Sequence, residues 1–146
     1  MTLSFWVRSN KTGTYCITME KHDNTRYHYV KEYTIDSADT WEKKEITISP
    51  TAGSNSFLTA SAGAIGDDNT LGARIDFFLF SGSTFTAGVT DDAWSSDTND
   101  YATSNQVNWM DSTSNNFYLT GVQLEVGDTA TPFEHRSYGD ELQRCQ

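Results

Sequence analysis

The sequence predicts an all-β protein built as an antiparallel β-sandwich, and three observations support this fold class. Apolar and polar residues alternate over short runs, as expected of strands buried on one face. Turn signals rich in Gly, Asn, Asp and Ser separate these runs at intervals of about ten to twelve residues. Strand-forming residues are abundant, with 13% aromatic content, whereas helix formers are scarce. Such spacing is typical of a sandwich or barrel.

Four strands are predicted before residue 50, namely TLSFWVRS, TYCITME, RYHYVKEYTI and TWEKKEITIS. The segments NKTG, KHDNT and DSAD between them are turn signals. In each strand the apolar residues share one parity, which predicts one buried face. These inward residues are Leu3, Phe5 and Val7; Tyr15, Ile17 and Met19; Tyr27, Tyr29, Tyr33 and Ile35; and Ile46 and Ile48.

The middle of the chain is less regular. Residues 51–70 are small, polar and Gly-rich, which predicts a long loop with room for one short strand. The run LGARIDFFLF is apolar on both faces and is therefore predicted at the centre of a sheet. QVNWM is predicted to be a further strand. The two faces of the apolar run carry Ile75, Phe77 and Leu79, and Phe78 and Phe80.

The last strand, FYLTGVQLEV, changes phase in its middle. Its apolar residues have opposite parity before and after that point: Phe117 and Leu119 against Val122, Leu124 and Val126. A bulge at Gly121 would turn both halves toward the core, because glycine tolerates the bulged conformation. A strand buried on both faces would explain the pattern equally well. Both interpretations make this segment a core strand.

The chain length of 146 residues fits one domain. We expect the sandwich to occupy residues 1–130 and residues 131–146 to form a C-terminal exit tail, in which GDELQRC begins a short helix. Cys16 and Cys145 do not make a disulfide scaffold, and both thiols are expected to be reduced. No signal peptide is predicted, and no segment approaches the ~20 apolar residues of a membrane span.

The net charge of -10 is unevenly distributed along the chain. Between Glu45 and His135 there are twelve acidic residues and a single basic one, Arg74. Such a field repels phosphate backbones, so nucleic acid is not expected as a ligand. The acidic residues form either a solubilising surface or, in part, a site for cations or polyhydroxyl ligands.

Four segments, TLSFWVRSNKTGTYC, YTIDSADTWEKKEITI, SNQVNWMD and FYLTGVQLEVGDTATPFEHRSYGDELQRCQ, together cover most of the chain. They resemble a domain of virion structural proteins of marine and cyanobacterial phages, especially proteins of the tail-fibre type. The strand order is also similar to the jelly-roll carbohydrate-binding modules that accompany glycoside hydrolases. Many of those modules carry paired aspartates in the last strand, whereas this chain has Thr120 and Gly121 there.

The resemblance implies a jelly roll that is assembled in the host cytoplasm and exposed on the virion. It also implies contacts with other virion subunits and assembly of the chain as a homotrimer. Related domains usually have a strand before TLSFW. A jelly roll needs about eight strands, whereas seven are predicted here, or eight with residues 51–65. We therefore expect another subunit to cover the open edge, or the chain to be part of a larger protein. Glu134, His135 and Arg136 would hold the exit tail down.

No catalytic pattern is evident, so the chain is not expected to be an enzyme. The sequence contains no G-x-S-x-G elbow, no H-E-x-x-H motif and no phosphate-binding glycine loop. His22, His28 and His135 have no nearby nucleophile pattern and are interpreted as structural.

Two pairs of carboxylates lie in polar loops, Asp67–Asp68 and Asp91–Asp92. Loop aspartates mostly form turns and caps. Calcium is the alternative, because it prefers hard oxygen ligands. The sequence thus makes both pairs calcium candidates without the spacing of an EF-hand, and no other cofactor is expected.

The segment between Trp94 and Trp109 mixes aromatic rings with amide and carboxylate side chains. Rings of this kind stack on the apolar faces of sugars, while the polar groups bond the hydroxyls. Alternatively, the rings pin a long loop to the sandwich, which fits Trp109 best, whereas Trp94 and Tyr101 are expected to be exposed. Tyr27 and Tyr29 form a second stripe, interpreted as core or subunit interface. The carbohydrate-binding candidates are Trp94, Tyr101, Trp109, Asn99, Asp100 and Gln106, with Asp97 and Asn105 beside them.

The sequence therefore predicts a non-catalytic virion module, structural and adhesive, that contributes to the attachment of a tail fibre or surface appendage to host glycans. A purely architectural virion domain and a carbohydrate-binding module of a glycoside hydrolase are the alternatives. A depolymerase is the least supported, because no acid/base pair is evident.

Overall fold

The computed structural model describes residues 1–23, 26–49, 65–96 and 99–144. Within these ranges it contains seven strands, two short 3-10 helices and one α-helix, which confirms the predicted all-β class. The 3-10 helices span Ser83–Phe85 and Trp109–Asp111, and α1 spans Tyr138–Arg144. The strands are β1 (Thr2–Ser9), β2 (Gly13–Lys21), β3 (Tyr27–Ile35), β4 (Glu42–Thr47), β5 (Ala73–Phe78), β6 (Ala93–Ser95) and β7 (Phe117–Glu125).

The strands form two antiparallel sheets that pack face to face. The three-stranded sheet has the order β4-β1-β7, and the four-stranded sheet has the order β5-β2-β3-β6. Phe5 of β1 lies between them, with its ring 5.1 Å from Tyr33 and 5.0 Å from Phe77, both edge-on. Side chains from both inner faces thus meet in one core, as in a β-sandwich.

The inward residues predicted for the first four strands are all buried. Period-two alternation is set by the backbone itself, because successive side chains of a strand point to opposite faces. Tyr27 and Tyr29 belong to the core, so the predicted second stripe is not an exposed binding surface. The buried set is Leu3, Phe5, Val7, Tyr15, Ile17, Met19, Tyr27, Tyr29, Tyr33, Ile35, Ile46 and Ile48.

Two runs predicted at the centre of a sheet are edge strands. In the part of the chain that the structure describes, β5 pairs only with β2 and β7 pairs only with β1. Each is therefore the outermost strand on its side of the sheet. Ile75 and Phe77 are half-buried against the core, whereas Phe78 packs on the other face with Cys16. β5 is apolar on both faces because a loop covers its outer side, and not because it lies centrally.

The segment QVNWM is not a strand, and that prediction is wrong. Val107 N donates to Thr14 O at 2.8 Å, but the chain then turns into the second 3-10 helix. Asn108 caps this helix by accepting a hydrogen bond from Met110 N at 2.9 Å. The strand missed by the sequence pattern is β6, whose three residues are too few for an alternation to show.

The predicted bulge lies at Gly121. Trp6 pairs with Thr120 and Ser4 pairs with Gln123, so two residues of β7, Gly121 and the next, lie opposite one residue of β1. Gly121 has a φ of 59°, a left-handed conformation that favours glycine. The predicted change of phase is therefore confirmed.

Beyond the bulge, β7 faces the interior without being covered. Leu124 pairs with the fully buried Leu3, and directly opposed residues of an antiparallel pair point to the same face. Leu124 and Val122 are nevertheless 45% exposed, and Val126 is also exposed. The expectation that these residues are buried is wrong, because β7 is the outermost strand of its sheet.

Replacing Gly121 with alanine is expected to lower the free energy of unfolding by about 1–2 kcal/mol, because a Cβ is strained at this φ. The added Cβ would also lie 3.2 Å from Cδ1 of Trp6. Urea unfolding measures the effect. The matched control is Gly82→Ala, since Gly82 has a φ of -71° and open space around it. Equal stabilities of the two variants would contradict the assignment of strain to Gly121.

The C-terminal tail contains the short helix that the sequence predicts. Ser137 caps α1 by accepting a hydrogen bond from Asp140 N at 3.2 Å. Arg136 forms ion pairs with Glu134 and Glu141, and the ring of His135 packs 5.1 Å from that of Phe133. These side-chain contacts lie within the tail itself, so the expectation that the three residues hold the tail down stays a prediction. None of the helices in the described ranges is long and apolar enough to cross a membrane.

Candidate functional site

The outer face of the four-stranded sheet is crossed by residues 99–105, here named the crossing segment. The Thr18 hydroxyl of β2 donates a hydrogen bond to Tyr101 O. Thr103 N donates to Cys16 Sγ at 3.4 Å. Two residues of the segment are thus tied to outward side chains of one strand, so the segment has a fixed position on the sheet.

An open cleft of about 430 Å³ lies on one side of the crossing segment and is here named the aromatic cleft. Tyr101 stands at its centre, with ring centroids 5.3 Å from Phe85 and 5.5 Å from Phe78. Phe80 and Phe85 are both exposed, whereas Tyr101 is half-buried. The lining residues are Arg74, Phe78, Phe80, Ser81, Gly82, Phe85 and Tyr101.

Arg74 supplies the charged group of the aromatic cleft. Its Nη2 lies 2.6 Å from Oε2 of Glu20, and its Nε donates a hydrogen bond to Oδ2 of Asp76 at 2.8 Å. Two carboxylates therefore balance this guanidinium. A guanidinium has five N–H donors, and Nη1 makes no hydrogen bond to the described residues, so it is available to a ligand.

Glu20 is a fully buried carboxylate, and its neighbours explain how the sheet accommodates it. Besides Arg74, its Oε1 lies 3.1 Å from His22 Nδ1, 3.5 Å from Arg26 Nε and 3.6 Å from His28 Nε2. A buried charge is tolerated when it is paired. The network therefore gives His22 and His28 structural positions beside the cleft.

A smaller cavity of about 230 Å³ lies on the other side of the crossing segment, and two predicted residues meet there. Asp100 is only 8% exposed and lines this cavity with Thr90 and Ser95. Trp94 lines it too, but only 3% of Trp94 is exposed. The cavity is below the ~300 Å³ typical of ligand pockets.

Trp94 is an anchor of the fold, and the expectation that it is exposed is wrong. Its ring centroid lies 5.2 Å from that of Tyr29, and its indole N–H donates to Ser49 O at 2.9 Å. A tryptophan combines a large apolar body with a polar tip that seeks a partner. Both needs are met here inside the sandwich, so no ring face remains for a sugar.

Trp109 and Gln106 also have structural contacts. Trp109 is half-buried against the core and donates its indole N–H to Asn116 O at 3.2 Å. Gln106 accepts from Ser81 N at 3.0 Å and donates to Ser81 O at 2.6 Å. The anchoring interpretation therefore describes Trp109. Gln106 fixes Ser81, a residue that lines the aromatic cleft.

The structure does not bring together the remaining polar candidates. Asn99 and Asn105 are exposed, and Asn105 Nδ2 donates to Oε1 of Glu32 at 3.0 Å. Asp97 lies outside the described residues. Of the predicted carbohydrate-binding residues, only Tyr101 lines the aromatic cleft.

The Asp91–Asp92 pair lies in a turn immediately before β6, beside the middle of β3. Asp91 accepts a hydrogen bond from Glu32 N at 2.7 Å and pairs with Lys31 Nζ at 3.0 Å. Asp92 accepts the hydroxyl of Tyr29. Burial, the hydrogen bond to Asp92 and the charges of both aspartates raise the pKa of the Tyr29 hydroxyl well above its usual value. Protein groups thus already engage both carboxylates.

The Asp67–Asp68 pair lies in an exposed loop. Asp68 Oδ1 accepts from Thr70 N at 2.8 Å and from Thr70 Oγ1 at 2.7 Å, and these bonds lower the pKa of the Asp68 carboxyl. Within residues 1–23, 26–49, 65–96 and 99–144, no three His, Cys, Asp or Glu side chains are grouped as a metal site. Calcium binding at either pair stays a prediction.

Cys16 is a free and fully buried thiol. Burial raises its pKa, and the hydrogen bonds with the backbone and side chain of Thr103 oppose that shift. A buried thiol of raised pKa is a poor nucleophile, so Cys16 is a structural residue. Cys145 lies outside the described residues.

Sequence reasoning missed Arg74, Phe80 and Phe85 as cleft residues. Arg74 is the single basic residue between Glu45 and His135, and the phenylalanines flank the Gly- and Ser-rich stretch SGST. The sequence feature that could have indicated a binding surface is the pair of apolar rings beside a polar loop. Their meeting with Tyr101 depends on the crossing segment and is not visible in the sequence.

Comparison of the chain with models of known families, with curated proteins and with solved structures finds no match in any of the three. The resemblance to a phage virion domain therefore stays a prediction from sequence motifs.

Proposed function

We propose that this chain is a non-catalytic glycan-binding module of jelly-roll type, acting as a structural and adhesive part of a phage tail fibre or surface appendage. The aromatic cleft is the observation that carries the glycan part. It presents exposed rings of Phe80 and Phe85 beside Tyr101 and the guanidinium of Arg74. Rings stack on the apolar faces of sugars, and the guanidinium donates to their hydroxyls. The virion part is inferred from the sequence resemblance.

The charge of the cleft favours a neutral glycan over an anionic one. Glu20 and Asp76 offset the charge of Arg74, so the guanidinium offers N–H donors without a net positive site. The chain carries a net charge of -10, which repels uronates and phosphates. Neutral polysaccharides on the host surface are therefore the proposed ligands.

The proposed role is binding and not hydrolysis. Glycoside hydrolysis uses one carboxyl as acid and a second as base or nucleophile, both facing the sugar. Glu20 and Asp76, the carboxylates that pair with Arg74 of the cleft, are held by that guanidinium, and Glu20 is fully buried. Neither is placed to exchange a proton with a ligand.

Replacing Phe80 or Phe85 with alanine is expected to lower affinity for a neutral host polysaccharide about ten-fold, which corresponds to about 1.4 kcal/mol. The expected cause is the lost stacking surface. Isothermal titration calorimetry measures it, with and without calcium. Trp41→Ala is the matched control, because Trp41 is exposed beside Tyr118 on the other sheet.

An equal loss of affinity in the Trp41→Ala variant would contradict binding at the aromatic cleft. A calcium-dependent signal that Asp91→Asn removes would place a metal near the ligand. If the unaltered protein binds no host polysaccharide in either condition, the purely architectural role takes first place. The burial of Trp94 already favours that role as the second candidate.

A further inference from the structure

We propose that the free edge of β7 accepts one added β-strand from another polypeptide, an extended segment with apolar residues at alternate positions and basic residues at its ends. This surface lies away from the aromatic cleft and serves attachment to a partner chain. Its test is therefore independent of glycan binding.

Among the described residues, no strand pairs with the outer side of the β7 backbone. β7 pairs with β1 alone, and residues 117–125 make no other backbone–backbone hydrogen bond with the described residues. An open row of N–H and C=O groups is a template for an extended chain. This geometry selects a strand over a helix or a globular surface.

A vacant position for a fourth strand follows from how the sheets stack. Phe117 of β7 packs on Tyr15 of β2, with ring centroids 5.8 Å apart. On the opposite side of the sandwich, Trp94 of β6 bonds Ser49, which follows β4. β7 therefore lies on the β5 side, and a strand added beside it would lie over β5. Both sheets would then have four strands.

The interior at this edge presents apolar side chains without cover. Leu124 and Val122 point inward but are 45% exposed, and on β5 Ile75 and Phe77 are only half-buried. A groove of about 960 Å³ runs between Val122 and Leu124 of β7 and the C-terminal tail. Apolar residues at alternate positions of an added strand would face the same interior.

The other edge of the same sheet shows the contrast. β4 carries Lys43 and Lys44, and edge lysines prevent pairing with another chain. β7 contains no Lys or Arg. One edge of this sheet is therefore protected against strand addition, and the other is not.

The groove is acidic, which favours an added strand with basic residues at its ends and disfavours a second copy of this chain as the partner. Glu125, Glu134 and Glu141 line the groove with Arg136, which is already paired with two of them. Glu125 Oε2 accepts Thr131 N at 3.0 Å, so the tail forms one wall and leaves the β7 backbone open. A second copy also has a net charge of -10 and is repelled.

The test uses a labelled synthetic peptide of sequence KTVTVTVK and the full chain, with affinity measured by fluorescence anisotropy. We expect saturable binding with one site per chain. The charge-reversed peptide ETVTVTVE should bind at least about ten-fold more weakly. Two N-methylated peptides test the pairing, because an antiparallel strand directs the N–H groups of alternate residues toward each neighbour. Methylation of the alternate residues whose N–H groups face β7 should abolish binding. Methylation of the other alternate residues should leave it.

Two variants locate the site. Leu124→Lys places a charge on the inward side of the edge and should weaken peptide binding at least about ten-fold. Thr47→Lys adds a lysine to the outer face of β4, on the opposite edge of the same sheet, and should leave peptide binding unaltered. Circular dichroism checks that both variants fold. Absence of saturable binding, or equal binding of both N-methylated peptides, overturns the proposal. Self-association that Leu124→Lys removes overturns the choice of occupant, since the edge would then accept a second copy.

Discussion

Replacing Phe5 with alanine is expected to lower the free energy of unfolding by about 3–5 kcal/mol, the range for truncating a buried aromatic residue. Phe5 is fully buried, and its ring meets Tyr33 and Phe77 edge-on at 5.1 and 5.0 Å. The substitution removes a side chain of the three-stranded sheet that packs on β3 and β5 together. A cavity then remains between the two sheets, since strands paired by backbone hydrogen bonds cannot close on it.

Thermal and urea unfolding measure this change, and a loss of about 3–5 kcal/mol implies a fall in Tm of roughly 10 °C. The neighbouring residue supplies the control. Trp6 is on the same strand but points to the outer face, where it is 40% exposed, so Trp6→Ala should cost much less. A larger loss of stability in Trp6→Ala than in Phe5→Ala would contradict the assignment of the inner and outer faces of β1.

Replacing Trp94 with alanine is also expected to cost about 3–5 kcal/mol of stability. The indole fills the space against Tyr29, and its N–H donates to Ser49 O at 2.9 Å. The loss includes the ring contact, the hydrogen bond and the connection between β6 and the chain that follows β4. Circular dichroism during urea unfolding measures the loss without depending on tryptophan fluorescence.

Two variants separate the contributions of Trp94. Trp94→Phe keeps a ring but removes the hydrogen bond, and should cost about 1 kcal/mol from the bond with a smaller packing loss. Trp41→Ala removes an exposed tryptophan and should change stability little. If Trp94→Ala were as stable as the unaltered protein but lost affinity for a glycan, Trp94 would be a binding residue and not an anchor.

Most strands and their inward faces could be predicted from the sequence, because both depend on neighbouring residues. The alternation of Leu3, Phe5 and Val7 is visible in the sequence of β1 alone, without knowledge of the strands beside it. All three residues are fully buried. The change of phase in the last strand could be assigned to Gly121 for the same reason. A local conformation that only glycine adopts easily has a local signature.

The composition of the candidate site could be predicted only in part. The segment around Tyr101 was identified from its rings and amides, and Tyr101 does line the aromatic cleft. Trp94 lies in the same mixture of rings and polar side chains but is buried, because β6 pairs with β3 and places the indole against Tyr29 of the core. A ring that binds a ligand and a ring that anchors a loop look alike in sequence.

The sequence by itself determined that this chain forms strands, which side of each early strand is buried, and where the last strand bulges. Tertiary structure alone decided that β5 and β7 are edges, that Phe80 and Phe85 join Tyr101 and Arg74 in one cleft, and that Leu124 faces an uncovered interior. The physical reason is the separation along the sequence over which each effect acts. Alternation and backbone conformation act between neighbours in sequence, whereas strand order and exposure arise from contacts between residues far apart in the chain.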